Sequence, residues 1–242
     1  MTEVPQSPVR FIWFDQDDTL YDYHRAMRRS LAAALRLIHD RFPHTRDCLA
    51  VDDLARARRD VQDHCDRAGM GPSQARREGF HEALVRHARP DAVLADALTN
   101  CYYKNLGTDI HPFPDSIACL NQLHGDYVLG VLSNGMSLLP ALGLGRFFGH
   151  QLYADELGMC KPDLPIFEHA MGLAGARAEE CLLVGDDVIS DVMGARDAGW
   201  HAVWLNRPGK PWPLGAPPPE LAISSLAELP PLVANLNGVP AA

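Results

Sequence analysis

The stretch FIWFDQDDTLYD, residues 11–22, places the tightest constraint on the fold. Phe11 to Phe14 form a short apolar run, which reads as a buried strand. Three carboxylates follow it at once: Asp15, Asp17 and Asp18. Like charges this close repel, and a carboxylate beside a buried strand end is costly unless something compensates it. A bound divalent cation would resolve the crowding, because its charge offsets the carboxylates' repulsion.

Two patterns follow along the chain. Residues 23–105 carry helical periodicity, with Leu31, Leu35 and Ile38 on one face of the first helix. A second helix spans VDDLARARRDVQDHCDRAG, with Asp52 or Asp53 as its N-cap and Gly69 at its end. A third starts near Pro72 and stops before Pro90, and DAVLADALTNCYYKNL is a fourth. After the Pro-rich connection GTDIHPFPDS, strands and helices alternate: YVLGVLSNG, HQLYAD, KPDLPIFEHAMGLAG, CLLVGDD, ISDVMGARDAG and a final strand, HAVWLN. Such alternation implies a parallel sheet with helices on both faces. The expected division is an α/β core of residues 1–22 and 106–242 with a helical module of residues 23–105. The Pro-rich tail RPGKPWPLGAPPPE reads as a surface segment.

Composition narrows the function classes. With 242 residues and 47% hydrophobic content, the chain can bury a sizeable core. No apolar run approaches the roughly 18 residues of a membrane span, and MTEVPQSPVR lacks the features of a signal peptide. The expectation is a cytoplasmic protein with no membrane partner. The net charge of −9 argues against nucleic acid as a partner. Residues 23–105 nevertheless hold 15 basic and 11 acidic residues, a balance of +4, against 7 and 20 elsewhere, a balance of −13. That basic module is expected to help attract anionic substrates. The six cysteines are scattered without a metal-binding or disulfide pattern, and each reads best as buried and inert.

In open parallel sheets, ligands bind outside the carboxyl ends of the strands. Asp15 follows the first strand, Ser133 and Asn134 end the second, and Asp186 and Asp187 follow a later one. Each of these, and Lys161 before Pro162, is an ordinary turn or helix-start feature when taken alone. Four elements in order are far more specific: D-x-D-x-T at Asp15, Asp17 and Thr19; Ser133 after an apolar strand; Lys161 in GMCKPD; and GDDVISD from Gly185 to Asp191. Together they resemble the haloacid dehalogenase (HAD) superfamily, in its phosphatase branch, with a helical cap inserted between the first and second motifs.

The resemblance implies a doubly wound, Rossmann-like core with a four-helix cap. It also implies a Mg²⁺-dependent phosphomonoester hydrolase for a small phosphorylated metabolite, nucleotides among the candidates, as its small-molecule partner. Asp15 would be the nucleophile and Asp17 the acid and later base. Lys161 would balance negative charge on the nucleophile and phosphoryl group. Ser133, with backbone N–H groups near Asn134 and Gly135, would hold phosphoryl oxygens. Mg²⁺ would take the Asp15 and Asp186 side chains and the Asp17 main-chain carbonyl. Thr19 and Asp191 would support the loop and Lys161, with Asp187 the alternative second acid. Gln16 departs from the apolar residue common at its position, and Arg25, Arg28 and Arg29 read as a largely solvated helix face. Two other readings stay open: a haloacid dehalogenase, which needs no metal and lacks the second acid of the first motif, and a non-catalytic binding protein on the same scaffold. A phosphotransferase is a variation on the first reading.

Overall fold

The computed structural model describes residues 8–136, 138–140, 142–213, 215, 218–219 and 221–238. Most of MTEVPQSPVR, and Leu214, Ala216, Pro217 and Glu220 of the Pro-rich tail, lie outside the described residues. The chain divides into two compact units, one of Met1–Asp22 with His111–Ala242 and one of Tyr23–Ile110.

In chain order, β1 (Phe11–Phe14) leads into five helices, α1 (Tyr23–Arg41), α2 (Val51–Asp60), α3 (Gln62–Arg67), α4 (Pro72–His87) and α5 (Ala92–Asp109). Next come α6 (Pro114–Leu123), β2 (Val128–Ser133), β3 (His150–Tyr153), α7 (Ala154–Leu157), α8 (Leu164–Ala174) and β4 (Cys181–Gly185). A π-helical turn (Val188–Met193), α9 (Gly194–Asp197), β5 (His201–Leu205), β6 (Leu221–Ile223) and α10 (Leu229–Leu236) complete the described chain.

The helical unit departs from the expected four helices. The second expected helix breaks at Val61, whose backbone sits at φ −92°, ψ −1°, and α3 resumes beyond it. Val61 is β-branched and loses side-chain freedom inside a helix, so the break falls at a weak point. Neither Asp52 nor Asp53 is the N-cap. Ala50 holds that position, and Asp53, one turn in, accepts a 2.9 Å hydrogen bond from its N–H. α5 runs to Asp109, so this unit closes at Ile110 instead of residue 105. On α1, Leu31, Ala34 and Ile38 are buried and Leu35 is half-buried. Arg25, Arg28 and Arg29 are exposed, and Arg28 pairs with Asp52.

The other unit is a six-stranded parallel sheet in the order β3-β2-β1-β4-β5-β6, an α/β Rossmann-like core with helices on both sides. β6, at the edge beyond β5, was not legible as a strand because it is three residues long and follows the Pro-rich tail. β1 lies at the centre, with Phe14 in register with Val131 of β2 and Val184 of β4. Its neighbours on both sides explain why all four of its residues are apolar and buried. The connections turn one way from β1 to β2 and β3, then cross to β4 on the other side. Between β1 and β4 the strand order reverses, which in open parallel sheets is where a crevice forms at the carboxyl ends.

Under one face of the sheet, Trp13, Phe167 and Trp200 form the aromatic centre of the core. The Trp13–Trp200 and Phe167–Trp200 ring centroids lie 5.9 and 5.3 Å apart. Cys65, Cys119 and Cys181 are buried, and burial pushes the Cys119 and Cys181 thiols up to about 12. The expectation of burial fails at Cys48 and Cys160, which are exposed, and Cys101 is intermediate.

Gly130 on β2 faces Trp13 so closely that a Cβ there would come 2.5 Å from the indole ring. Gly130→Ala is expected to force the indole aside and lower stability by about 1–3 kcal/mol. Thermal unfolding checks this, and an unchanged melting temperature would show that the core accommodates the methyl group.

Candidate active site

β1 and β4 deliver their polar ends side by side. The Asp15 N–H donates to the Val184 carbonyl at 2.9 Å, extending the β1–β4 pairing one residue past the strand. Asp15 is thereby held at the crevice with its side chain nearly buried. Lys161, on the segment before α8, is only 3% exposed. Its Nζ donates to Asp15 Oδ1 at 2.8 Å and to Asp191 Oδ1 at 2.6 Å. The other Asp191 oxygen accepts from the Asp187 N–H at 3.0 Å.

Carboxylate oxygens of Asp15, Asp186 and Asp191 lie within 4.8 Å of one another. Both oxygens of Asp191 already accept hydrogen bonds, which makes it the holder of Lys161 more than a direct metal ligand. Asp187 is not brought into the cluster. Its carboxylate caps the π-helical turn, accepting from the N–H groups of Ile189 and Ser190 and from the Ser190 hydroxyl. Thr19 is fully buried, and its hydroxyl donates to Asp186 Oδ1 at 3.4 Å.

The loop after Asp15 is a tight turn. Asp18 takes φ 58°, a left-handed conformation that Asp tolerates better than most residues, and its N–H donates to the Tyr21 carbonyl. This turn brings the buried Tyr21 hydroxyl within 2.6 Å of Asp17 Oδ1, to which it donates. On its other side Asp17 abuts Gly135, where a Cβ would come 2.9 Å from Asp17 Oδ2. Gln16 is buried and donates to the Met136 carbonyl at 2.7 Å, tying the first loop to the segment after β2. Its side-chain oxygen has no hydrogen-bond partner among the described residues.

Ser133 is buried at the end of β2, and its Oγ accepts from the Gly135 N–H at 3.0 Å. That leaves the hydroxyl proton to be donated elsewhere. The Asn134 side chain does something the sequence did not reveal. Its Nδ2 donates to the Lys161 carbonyl and its Oδ1 accepts the Lys161 N–H, both at 2.8 Å. Asn134 thus clamps the backbone that carries the ammonium, and only its main-chain N–H stays available to an anion.

Tyr21, Gly185 and Trp204 also escaped the sequence reading. Gly185 ends β4 directly against Asp191, where a Cβ would lie 2.1 Å from the carboxylate. The Trp204 indole N–H donates to the Asp186 carbonyl at 3.1 Å. The glycine of GDD was a visible signal, whereas Tyr21 and Trp204 had none beyond their proximity to the motifs.

Charge in this crevice is unbalanced. Burial pushes the Asp15 carboxyl well above its ordinary value against the pull of Lys161, and Asp191 and Asp17 add to the rise. Burial raises Asp17 to about 6, opposed by the Tyr21 hydrogen bond. Asp186 is raised to about 7, by burial first and then by the neighbouring carboxylates Asp191, Asp18 and Asp187. Burial alone would lower Lys161, but Asp15 and Asp191 outweigh it and keep the ammonium charged. One buried cation therefore faces a cluster of three carboxylates, Asp15, Asp186 and Asp191, with Asp17 beside it. The oxygen donors and the deficit of positive charge both fit a hard divalent cation.

Comparisons with known proteins show what the chain is similar to. Residues 9–199 match the family described as haloacid dehalogenase-like hydrolase. The N-acylneuraminate-9-phosphatase of Mus musculus is 25% identical over 240 residues, covering 96% of each chain. The glyceraldehyde 3-phosphate phosphatase of Methanothermobacter thermautotrophicus is 28% identical over 206 residues, 82% of this chain and 86% of that one. The crystal structure of a 2-haloacid dehalogenase from Pseudomonas syringae pv. Tomato superposes with a TM-score of 0.75 at 30% identity. It covers 94% of this chain and 99% of the other.

The raised carboxyls have a consequence for stability. A carboxyl whose folded pKa is raised binds its proton more tightly when folded, so its contribution is full below its unfolded value near 3.8 and is lost as pH rises through the folded value. In EDTA, the melting temperature of the wild type relative to Asp186→Asn is expected to fall between about pH 4 and 7. Added Mg²⁺ is expected to raise the wild-type melting temperature by at least about 3 °C at pH 8 and by less at pH 5. A Mg²⁺ effect independent of pH, or equal in Asp186→Asn, would contradict this charge balance.

Proposed function

This chain belongs to the haloacid dehalogenase-like hydrolase family, and from that premise we propose that it is a Mg²⁺-dependent phosphatase of a small phosphorylated metabolite. The curated relatives named above, matched over most of their length, are phosphatases of small phosphorylated compounds. Among the described residues, no helix is long and apolar enough to cross a membrane. The cytoplasmic location remains part of the proposal.

Asp15 and Asp186 would hold the cation through their side chains, with the Asp17 main-chain carbonyl as a third donor. When bound, Mg²⁺ supplies positive charge to the carboxylates and to the phosphate of the substrate. Lys161 keeps the Asp15 carboxylate paired and oriented, and presents the same ammonium to a phosphoryl oxygen. Ser133 Oγ–H and the backbone N–H of Asn134 donate to the remaining oxygens. An Asp15 oxygen attacks phosphorus as the bond from phosphorus to the ester oxygen breaks. Asp17 delivers its proton to that leaving oxygen. Asp17, now ionised, takes a proton from water, whose oxygen attacks phosphorus, breaks the aspartyl-phosphate bond and frees inorganic phosphate.

Asp17 is the observation that carries this reading. It is half-buried, held by Tyr21, and raised to about 6, close to neutral pH, where an acid can both give and retake a proton. The 30% identity to a 2-haloacid dehalogenase favours a second reading, in which Asp15 displaces a halide. That chemistry needs neither a metal nor a second acid, so it leaves a half-buried, hydrogen-bonded Asp17 without a role.

A release screen separates the two readings. Phosphate release is measured across nucleotides, sugar phosphates, triose phosphates and phosphoglycolate with Mg²⁺ or EDTA, and halide release from 2-haloacids. The expected outcome is Mg²⁺-dependent phosphate release, lost in Asp15→Asn. Asp17→Asn is expected to give at most about one p-nitrophenolate per site from p-nitrophenyl phosphate, followed by slow turnover. Halide release, or equal phosphate release in EDTA, would reject the phosphatase mechanism.

A further inference from the structure

Arg207 lies beyond β5 in the sequence LNRPG, outside the four motifs and outside residues 9–199. Its guanidinium donates to both oxygens of Asp115, Nη1 to Oδ2 at 2.8 Å and Nη2 to Oδ1 at 3.0 Å. Nη2 also donates to the Thr19 carbonyl at 3.0 Å. The group sits 4.0 Å over the Phe113 ring, and its buried Nε has no partner among the described residues. Its position is therefore dictated by the fork of two Nη atoms and by the ring beneath. Arg is suited to such a place, because a planar, rigid fork can hold a carboxylate and a carbonyl at once.

Asp115 is itself over-held. Its Oδ2 accepts from the Ser225 hydroxyl at 2.6 Å and from the Leu226 N–H at 2.9 Å. Burial would raise Asp115, but the hydrogen bonds from Arg207 and Ser225 outweigh it and hold the carboxyl below its ordinary value. Arg207 is thus anchored to α6 and to the segment after β6, two parts of the fold remote in sequence from the first motif.

What it grips matters more. Thr19 and Leu20 directly follow the loop of Asp15 and Asp17. Arg207 holds the Thr19 carbonyl, while the Phe113 N–H and the Ser116 hydroxyl hold the Leu20 carbonyl at 3.0 and 2.8 Å. Two successive carbonyls are thereby pinned from outside the loop. The Thr19 hydroxyl, on the gripped residue, faces Asp186. Within the loop, Leu20 N–H donates to the Gln16 carbonyl and Asp18 N–H to the Tyr21 carbonyl.

We infer that Arg207 is a positioning residue for phosphoryl transfer: by fixing the Thr19 carbonyl against Asp115, it sets the loop that aims Asp15 and Asp17 and seats Thr19 against Asp186. The inference rests on the phosphatase reading for its consequence in catalysis, but the clasp is testable without it. Displacements of about 1 Å in a reacting group cost orders of magnitude in rate, so a loosened loop lowers kcat more than it changes substrate affinity.

The test compares Arg207→Lys with Val233→Ala, a cavity variant of the buried Val233 on α10, far in sequence from the loop. Lysine keeps the charge but cannot span Asp115 and the Thr19 carbonyl with a planar fork. Hydrogen exchange of the residue 15–21 peptide is read by mass spectrometry, together with kcat and KM on p-nitrophenyl phosphate. Arg207→Lys is expected to exchange the loop faster than wild type and to lose about tenfold in kcat with KM within about twofold. Val233→Ala is expected to melt earlier with loop exchange and kcat unchanged. If Arg207→Lys does not fold, Asp115→Asn is read the same way. Loop exchange matching Val233→Ala overturns the inference, as does faster exchange with wild-type kcat. If the wild type cleaves no phosphate ester, the phosphatase reading fails, and the exchange result alone decides the clasp.

Discussion

The ammonium of Lys161 between Asp15 and Asp191 is the contact on which the rest of the site depends. All three groups are almost fully buried, and removing Lys161 would leave both carboxylates without a cation, at a cost of about 3–5 kcal/mol, whereas removing either aspartate leaves the other pair standing. Much nearby structure exists to keep the three in place. Asn134 clamps the Lys161 backbone from both sides, Gly185 leaves room for the Asp191 carboxylate, and the Asp187 N–H holds that carboxylate's second oxygen. The topology does the coarser part. Reversal of strand order between β1 and β4 sets Asp15 and Asp186 at the mouth of one crevice, with Ser133 one strand away.

A buried ion pair is weak evidence of stability, because desolvation offsets much of its attraction. Its meaning here is positional. The nucleophile proposed at Asp15 must be ionised and aimed in a place where burial favours its neutral form. Lys161 meets part of that demand, and the remaining excess of carboxylates supplies the physical reason for a divalent cation. Asp17 differs from its neighbours because the turn through Asp18 swings it towards Tyr21 and Gly135 instead of into the ion-pair cluster. Two acids two residues apart thereby acquire different surroundings, which is the condition for giving them different tasks.

Much of this was legible in the sequence. The apolar run before Asp15 read as a buried strand, and the alternation beyond residue 110 implied parallel strands with their polar ends on one side. The side-chain partners were less accessible. Nothing local in the sequence connects Asn134 to the Lys161 backbone, Tyr21 to Asp17, or Arg207 to Thr19, because each contact exists only once distant segments have packed. The helical unit was misread in detail for the opposite reason: the break at Val61 and the cap at Ala50 depend on local backbone choices that periodicity does not encode. The three residues of β6 carried too short a pattern to be seen, and their place at the sheet edge is set by pairing with β5.

The central claim is that the Asp15 carboxylate, held by Lys161, forms a covalent bond to phosphorus. It is tested most directly by quenching the protein with acid during turnover of a phosphate ester in Mg²⁺, reducing any acyl phosphate with borohydride, and locating the modified residue by mass spectrometry. Reduction of an aspartyl phosphate turns Asp to homoserine, and the account requires that conversion at residue 15, dependent on substrate and absent without Mg²⁺. Continued phosphate release with Asp15 unmodified, or homoserine at another aspartate, would contradict it.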